Sequence, residues 1–589
     1  MELGTPENPY DLVIIGGGIN GAGIARDAVM RGLSVALFEK NDFSTGATWA
    51  SSGMIHGGIR YLEADPNVTK KSCYDSGLIQ QIAPHLLFRV PFLFPMRPDT
   101  LTNKIFLELV EVYFDTYDRW APLKGGVPHS RLNRAEALAM EPGLPKDIIG
   151  AVTTDEWGID SPRLTLINIL DAQERGAHVH NYHEVVGFLR GDGTGDADDK
   201  TSTQRGAMRG VRVRDRERGG VRDVHARITF NATGAWAERV AKSAGAQMCR
   251  LRPGKGIHLL LAGRVTNYAL ITNAVDGRQM FIAPHQNVTF VGTTDDDYWG
   301  DLDDIPVLED EVKYVLDGAR RVFPKIDECR IIDTIVGCRP TLYGDNKYES
   351  QLSRDHAVYD HGEEGIPNFM SIAGGKLAAY RLMSEEAVDA ICAKLGNNKP
   401  GRTHLEALPG GEAHDISPEA FAEFGLDNYS AGRLIYRQGS RADRVLEIMR
   451  KNPETAAIVD PSEPVTEAEL RYVMRHELVS QLDDCKRRSR LGQGLDGGWS
   501  ATLRAAEIYC DEKGYSQRDR FDVALSFQRG RWKDRRDIIR NEQLAAEAVG
   551  QTWFFTAGGA IGADPKSLLN DPAKTPPGAT SDPTSRESA

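Results

Sequence analysis

Residues 11–40 read DLVIIGGGINGAGIARDAVMRGLSVALFEK, and their reading decides the fold. Leu12–Ile15 is a short apolar run suited to a strand buried on both faces. Gly16, Gly18 and Gly21 follow at G-x-G-x-x-G spacing, and Ile24–Val29 continues as a helix. The glycines have separate jobs: one makes the tight turn, one lets a pyrophosphate approach the backbone, and one lets helix and strand pack closely. The helix N-terminus then turns unpaired N–H groups toward phosphate. A second strand, Ser34–Phe38, ends in Glu39, 18 residues past Gly21. An acid about 20 residues on takes the ribose hydroxyls of an adenosine. A bare glycine fingerprint is weak, because any glycine-rich turn can carry it. With the strand, the helix and the acid in place, it reads as a dinucleotide site.

Working outward, 589 residues allow two or three domains with large cores. The hydrophobic share of 41% and charged share of 26% are ordinary for a globular chain. A net charge of -13 argues against a nucleic-acid partner, which demands a basic surface. Two basic clusters, Lys486–Arg490 and Arg529–Arg536, read most simply as solvated helix faces; docking to anionic lipid is the sharper alternative. The seven cysteines form no C-x-x-C and no His/Cys pair at ligand spacing. That pattern suits a reduced compartment, with neither a disulfide framework nor a zinc site. MELGTPENPY has neither the cationic region nor the apolar core of a signal peptide, and no stretch approaches a spanning helix. A cytoplasmic protein is expected, with any membrane contact peripheral.

Further along, Asn41–Glu63 is rich in Gly, Ser and Thr yet carries Trp49, His56, Arg60 and Tyr61, as a chain laid against a ligand would. Asn67–Ala83 reads as a helix, and Leu101–Tyr117 as an apolar helix packed over the active-site domain or dipping into lipid. Ile149–Thr153 reads as a strand, Ser161–Arg175 as a helix with a Ser-Pro start, and His178–Leu189 as the first of several hairpins. Gly191–Arg205 is polar enough for a flexible loop tip. Ala226–Asn231 is a strand leading into the small residues Ala232–Ala235. Strands follow over Ile257–Leu261, Met280–Ala283, Val288–Thr293 and Ile331–Val336, with a helix over Glu309–Val322 and a turn at Gly337–Pro340. Phe369–Ile372, Gly374, Gly375 and a helix over Leu377–Leu395 repeat the opening strand–glycine–helix order. Leu405–Glu412 reads as a linker, Ser417–Ala548 as almost wholly helical, and the tail from Gly558 as disordered.

Five motifs recur together in matching order: the opening fingerprint, HGGIRYL at His56–Leu62, GTTD at Gly292–Asp295, GCRP at Gly337–Pro340 and GGKLAAYR at Gly374–Arg381. Over roughly residues 10 to 550 the chain thereby resembles the FAD-dependent glycerol-3-phosphate dehydrogenases. GIARDAVMRGL, TLINILDAQERGA and the RWK at Arg531–Lys533 are most similar to the large subunit of the anaerobic, quinone-linked type. That subunit carries four C-terminal cysteines suited to an iron–sulfur cluster. Here the matching positions are Asp460, Ser462, Asp496 and Ala501, so four thiolates cannot hold a cluster there. No metal is expected, and the module reads as scaffold.

The resemblance implies an α/β, FAD-binding Rossmann-like domain of the discontinuous two-dinucleotide-binding type, with β-rich substrate-binding insertions and a helical C-terminal domain. The order expected is cofactor segments over 1–95, 151–240 and 336–404, substrate segments over 96–150 and 241–335, a helical domain over 413–550 and a tail over 558–589. It implies FAD contacts at Gly16, Gly18, Gly21, Glu39, Thr48, Ser52, Val185, Ala232, Gly234, Gly375 and Leu377. The implied reaction is oxidation of sn-glycerol 3-phosphate to dihydroxyacetone phosphate, a hydride passing from carbon 2 to flavin N5. A phosphate dianion needs cations, and Arg60, Arg339, Lys376 and Arg381 sit in Gly-rich or turn segments near the implied cofactor contacts. His56 matches the active-site histidine and suits the base; its bland alternative is a hydrogen bond to the flavin edge. Arg339 either holds phosphate or steadies the developing alkoxide, and Tyr61 and Thr294 are weaker candidates for hydrogen bonds to substrate.

Electrons would pass to a quinone or an electron-accepting partner subunit, from the inner face of the cytoplasmic membrane if a peripheral contact forms; a homodimer is left open. Three other readings stand beside this one. They are an oxidase that reduces oxygen, a retired flavoprotein subunit with an assembly role, and a flavoprotein acting on an amine or another 2-hydroxy acid.

Overall fold

The opening run becomes the centre of an eight-stranded sheet. Strand β1 (Tyr10–Ile15) pairs in parallel with β2 (Val35–Phe38) on one side and with Val221–Asn231 on the other. Phe369–Gly374, His356–Asp360 and His178–His180 extend the sheet, and the hairpin of His183–Arg190 and Met208–Asp215 folds over it. The computed structural model describes residues 3–58, 66–97, 112–191, 206–345, 352, 355–516, 518–535, 538, 544–545, 547–550 and 552.

Alternation along β1 explains why the run is continuously apolar. Leu12 and Ile14 face a helical layer, packing with Ile24, Leu166, Ile169 and Met383. Val13 and Ile15 face the hairpin layer, packing with Phe38, Val211 and Val224. Both sets are buried, so a polar residue anywhere in Leu12–Ile15 would cost the transfer energy of a core side chain, about 1.5–3 kcal/mol. Helix α1 (Ile19–Met30) starts earlier than the apolar spacing suggests, because Gly18 sits at its N-cap and the turn runs directly into it.

A second, nine-stranded sheet forms the other half. Leu87–Met96 pairs with Gly150–Ile159 along its whole length, and Gly254–Ala262 pairs with both Val288–Gly292 and Ile331–Arg339. The pairing shifts the expected bounds: 87–95 and 151–159 belong to the second sheet, and the 335/336 division falls inside a strand. The expected turn at Gly337–Pro340 is also corrected, since Gly337, Cys338 and Arg339 hydrogen-bond into the sheet opposite Gly256, Lys255 and Gly254. Helix Glu309–Arg320 covers this sheet's outer face around Val291, Val315 and Phe323.

The C-terminal part is helical around Phe421, Leu434, Tyr472 and Phe527, except for a small hairpin of Ile458–Asp460 with Val465–Thr466 that the periodicity did not suggest. Leu405–Glu412 is a packed connector rather than a free linker: Leu408 is fully buried and its N–H donates to the Ile82 carbonyl. Of Leu101–Tyr117, residues 101–111 lie outside the described residues, while Phe114 and Tyr117 are buried in the protein. Residues 192–205 and the tail from 558 also lie outside them. Among the described residues no helix is long and apolar enough to cross a membrane.

The basic cluster at Lys486–Arg490 is neither a solvated face nor a lipid patch. Arg487 and Arg488 are buried and bind Asp42 of the first sheet's domain. Arg531 of the second cluster is likewise buried on Asp333.

Candidate active site

A cavity of about 560 Å³ runs between the two sheets from the Gly16 turn to Arg339 and Lys376. At one end the glycines are required by what surrounds them. Gly16 has φ +106°, and a Cβ there would lie 2.8 Å from the Ala232 carbonyl oxygen. A Cβ on Gly21 would meet the Gly16 carbonyl oxygen at 2.0 Å, so this glycine packs helix to strand and does not line the cavity. Gly18 differs: its backbone is extended, and a Cβ would find only the Thr48 hydroxyl, at 3.5 Å. The space above Gly18 is therefore cavity, at the N-terminus of α1, where a pyrophosphate is favoured.

Glu39 closes this end. One carboxylate oxygen accepts the Gly17 N–H at 2.7 Å and the other the Asn41 N–H at 2.9 Å. Burial raises its pKa against those two hydrogen bonds. Its remaining lone pairs suit the hydroxyls of a ribose. Val185, Ala232 and Gly234 line the same region, and Thr48, Ser52, Gly375 and Leu377 continue toward the far end. At Gly375, φ is +89°, a left-handed conformation that favours glycine. A cavity with the N-terminus of α1 open to phosphate and a buried acid at the same end fits FAD.

The far end is gathered from distant segments. His56, Arg339 and Lys376 all line it. Arg339 Nη1 binds Asp295 at 2.7 Å, and Nη2 donates to the Thr293 hydroxyl and the Thr294 carbonyl at 3.2 Å. Phe92, Phe94, Met280 and Phe281 supply an apolar wall from the second sheet.

Two expected substrate residues are elsewhere. Thr294 is buried behind the wall, its hydroxyl accepting the Ile257 N–H at 3.0 Å; it supports Arg339 instead of lining the cavity. Arg381 is buried between Asp75 (2.7 Å) and Glu385, tying helix Tyr380–Leu395 to helix Pro66–Ile82. Its charge is already paired. Arg60 and Tyr61 lie outside the described residues.

Two cavity residues escaped the sequence reading. His258 projects from the Gly254–Ala262 strand, its Nε2 3.1 Å from the Ser52 hydroxyl; burial, aided by Arg339, lowers its pKa to about 3 and keeps the ring neutral. A histidine inside the apolar run GIHLLL was a usable signal. Glu156 lines the cavity while its carboxylate accepts from the Tyr117 hydroxyl (2.5 Å), Lys124 Nζ (2.8 Å) and the Gly57 N–H (3.3 Å). Lys124 neutralises it, and the bond to Gly57 fixes the segment that carries His56. A Cβ on Gly57 would overlap the Tyr117 hydroxyl at 2.3 Å. No local signal marked Glu156, since an acid in a strand reads as solvent-facing.

In the C-terminal module Asp460 accepts N–H groups from Ser462, Glu463 and Gly492, and the Ser462 hydroxyl donates to Asp496 at 3.3 Å. Backbone donors occupy these acids, and Ala501 is buried in helix Trp499–Lys513. Among the described residues no group of three or more His, Cys, Asp or Glu could hold a metal.

Two sheets around such a cavity are the build of a FAD-dependent oxidoreductase, and residues 11–381 match the family model of that description. Residues 401–520 match the model for the C-terminal domain of alpha-glycerophosphate oxidase. The chain is 31% identical over 552 residues to a subunit of the anaerobic glycerol-3-phosphate dehydrogenase of Escherichia coli K12, covering 92% of this chain and 96% of that one. It is 30% identical over 532 residues to a glycerol-3-phosphate dehydrogenase of Synechocystis, covering 86% and 94%. The solved glycerol-3-phosphate dehydrogenase of Bacillus halodurans, complexed with FAD, matches with a TM-score of 0.68 at 25% identity, covering 91% of this chain and 97% of that one. This chain belongs to the FAD-dependent glycerol-3-phosphate dehydrogenase family, and FAD is its cofactor.

Proposed function

We propose that this chain oxidises sn-glycerol 3-phosphate to dihydroxyacetone phosphate and passes the electrons to a quinone. The observation that carries the reading is that Arg339, Lys376, His56 and His258 line the same cavity as the dinucleotide turn. FAD supplies the hydride acceptor for carbon 2; the chain does the rest. Lys376 receives the phosphate as a point charge. Arg339 has one guanidinium nitrogen on Asp295, which suits it to steadying the oxygen on carbon 2 more than a full dianion. His56 takes the hydroxyl proton. His258 is the weaker base because burial depresses its basicity, and it orients substrate through a hydrogen bond. The phenylalanine wall excludes water around the transferring hydrogen.

The names of the relatives support the substrate. The retired-subunit reading has the opposite expectation, since keeping charged groups in a buried cavity costs stability unless they are used. The test is anaerobic: sn-glycerol 3-phosphate added to the purified protein should bleach the flavin absorbance quickly, and glycerol should not. Re-oxidation by a soluble quinone analogue and not by air supports the dehydrogenase; fast re-oxidation by air supports the oxidase. Flavin that stays oxidised with the phosphate ester removes the reading.

A further inference from the structure

The helical C-terminal domain touches the cofactor cavity's adenosine end through buried charges. Asp42, three residues past Glu39, is 1% exposed. Arg488 grips it with both terminal nitrogens (Nη2 to Oδ1, 2.8 Å), Arg487 Nε reaches it at 2.5 Å, and Asn181 Nδ2 donates to it at 3.1 Å. Burial alone would raise the Asp42 carboxyl; the two arginines override this and hold it below the ordinary carboxylate range. Asp484 completes the cluster, accepting from Arg487 at 3.1 Å and from the Tyr182 hydroxyl at 2.6 Å. Lys486, next in line, stands 5.6 Å from the centre of the Trp49 ring, beside Thr48. Three successive basic residues of one short C-terminal helix thus press on the cofactor domain.

What they grip matters. Asp42 and Tyr182 belong to the two segments that build the adenosine end, and these segments are tied to each other by backbone. Tyr182 N–H donates to the Asn41 carbonyl (2.9 Å), His183 N–H to Glu39 (2.7 Å) and Glu39 N–H to His180 (2.9 Å). Tyr182 has φ +55°, a left-handed conformation that a non-glycine residue keeps only when its surroundings insist. Its hydroxyl on Asp484 is one such constraint. Glu39, Asn41, His183 and Val185 line the cavity.

We infer that Asp42, Arg487, Arg488, Asp484 and Tyr182 form a positioning cluster through which the C-terminal domain sets how tightly the adenosine end holds FAD. The domain is then a cofactor clamp acting through Glu39 and Val185, and not scaffold alone. This inference needs only FAD binding and stands apart from the choice of substrate.

The test uses full-length apoprotein titrated with FAD, and with ADP, which occupies only the adenosine and pyrophosphate end. Asp42→Asn keeps the side chain's shape and leaves the arginines uncompensated. Its FAD and ADP dissociation constants should both rise, by about tenfold or more and by the same factor. Tyr182→Phe removes only the hydroxyl and should raise both about threefold; it decides the matter if Asp42→Asn does not fold. A folded variant with a lower melting temperature but FAD and ADP affinities within twofold of the native protein would overturn the inference, leaving the cluster a plain structural staple. Weakened FAD with unchanged ADP would overturn it too, because the effect would then lie at the flavin end.

Discussion

The two ends of the cavity are built in opposite ways. The dinucleotide end takes its turn, helix and acid from residues 16–39, a stretch short enough that glycine spacing alone places them. The far end brings Glu156, His258 and Arg339 from three strands of the second sheet together with His56 and Lys376 from two loops. A local site is specified by backbone sterics, which any sequence position carries with it. A dispersed site is specified by which charges find partners elsewhere, and a residue does not reveal its partner.

Gly18→Val should break the first end most completely. The extended backbone at Gly18 accepts a side chain, but the added branch fills the pyrophosphate space above it. A folded protein that has lost FAD by on the order of 100-fold or more in affinity is expected, read from the flavin absorbance after purification. At the second end, His56→Asn should slow anaerobic flavin reduction by about 10²–10⁴-fold, the usual worth of a general base. The matching His258→Asn change should cost less; if it costs more, the two histidines exchange roles. Arg339→Ala comes next, with reduction slowed by about 10²–10³-fold and FAD retained.

Arg381→Ala sharpens the contrast from the other side. A substrate contact would appear as a raised KM. The Asp75 and Glu385 pairing predicts instead a loss of about 3–5 kcal/mol in stability with KM unchanged, seen by comparing thermal melting with steady-state kinetics. The smallest effect is set by pH and lies away from the cavity. Burial would raise the Glu463 carboxyl, but Arg490, followed by Arg433 and Arg437, pulls it down to about 2. Its ionised form therefore stabilises the fold above the ordinary glutamate value and loses that contribution as pH falls from about 4.5 toward 2. Glu463→Gln should flatten the acid limb of the stability curve over that window in a pH series of melting temperatures.

The same division runs through what could be read in advance. Strands and helices with clear periodicity, such as β1, Ser161–Glu174 and Glu309–Arg320, were legible because their pattern depends only on which face is buried. Ten of the eleven expected FAD positions line the cavity, and the eleventh, Gly21, packs the turn behind it. The failures share one cause. Arg381, Thr294 and the Lys486–Arg490 run were judged by their own chemistry, while the tertiary partners decided their use.

Sequence alone therefore determined the dinucleotide turn, the acid at its end, the family and the order of the main elements along the chain, since each rests on spacings within a few tens of residues. Tertiary structure alone decided which cations line the cavity and which are buried on acids away from it. Arg381 meets its acid 306 positions away and Arg488 meets Asp42 across 446. A buried charge is stable only beside its counter-charge, and over such separations only the folded chain says where that partner lies.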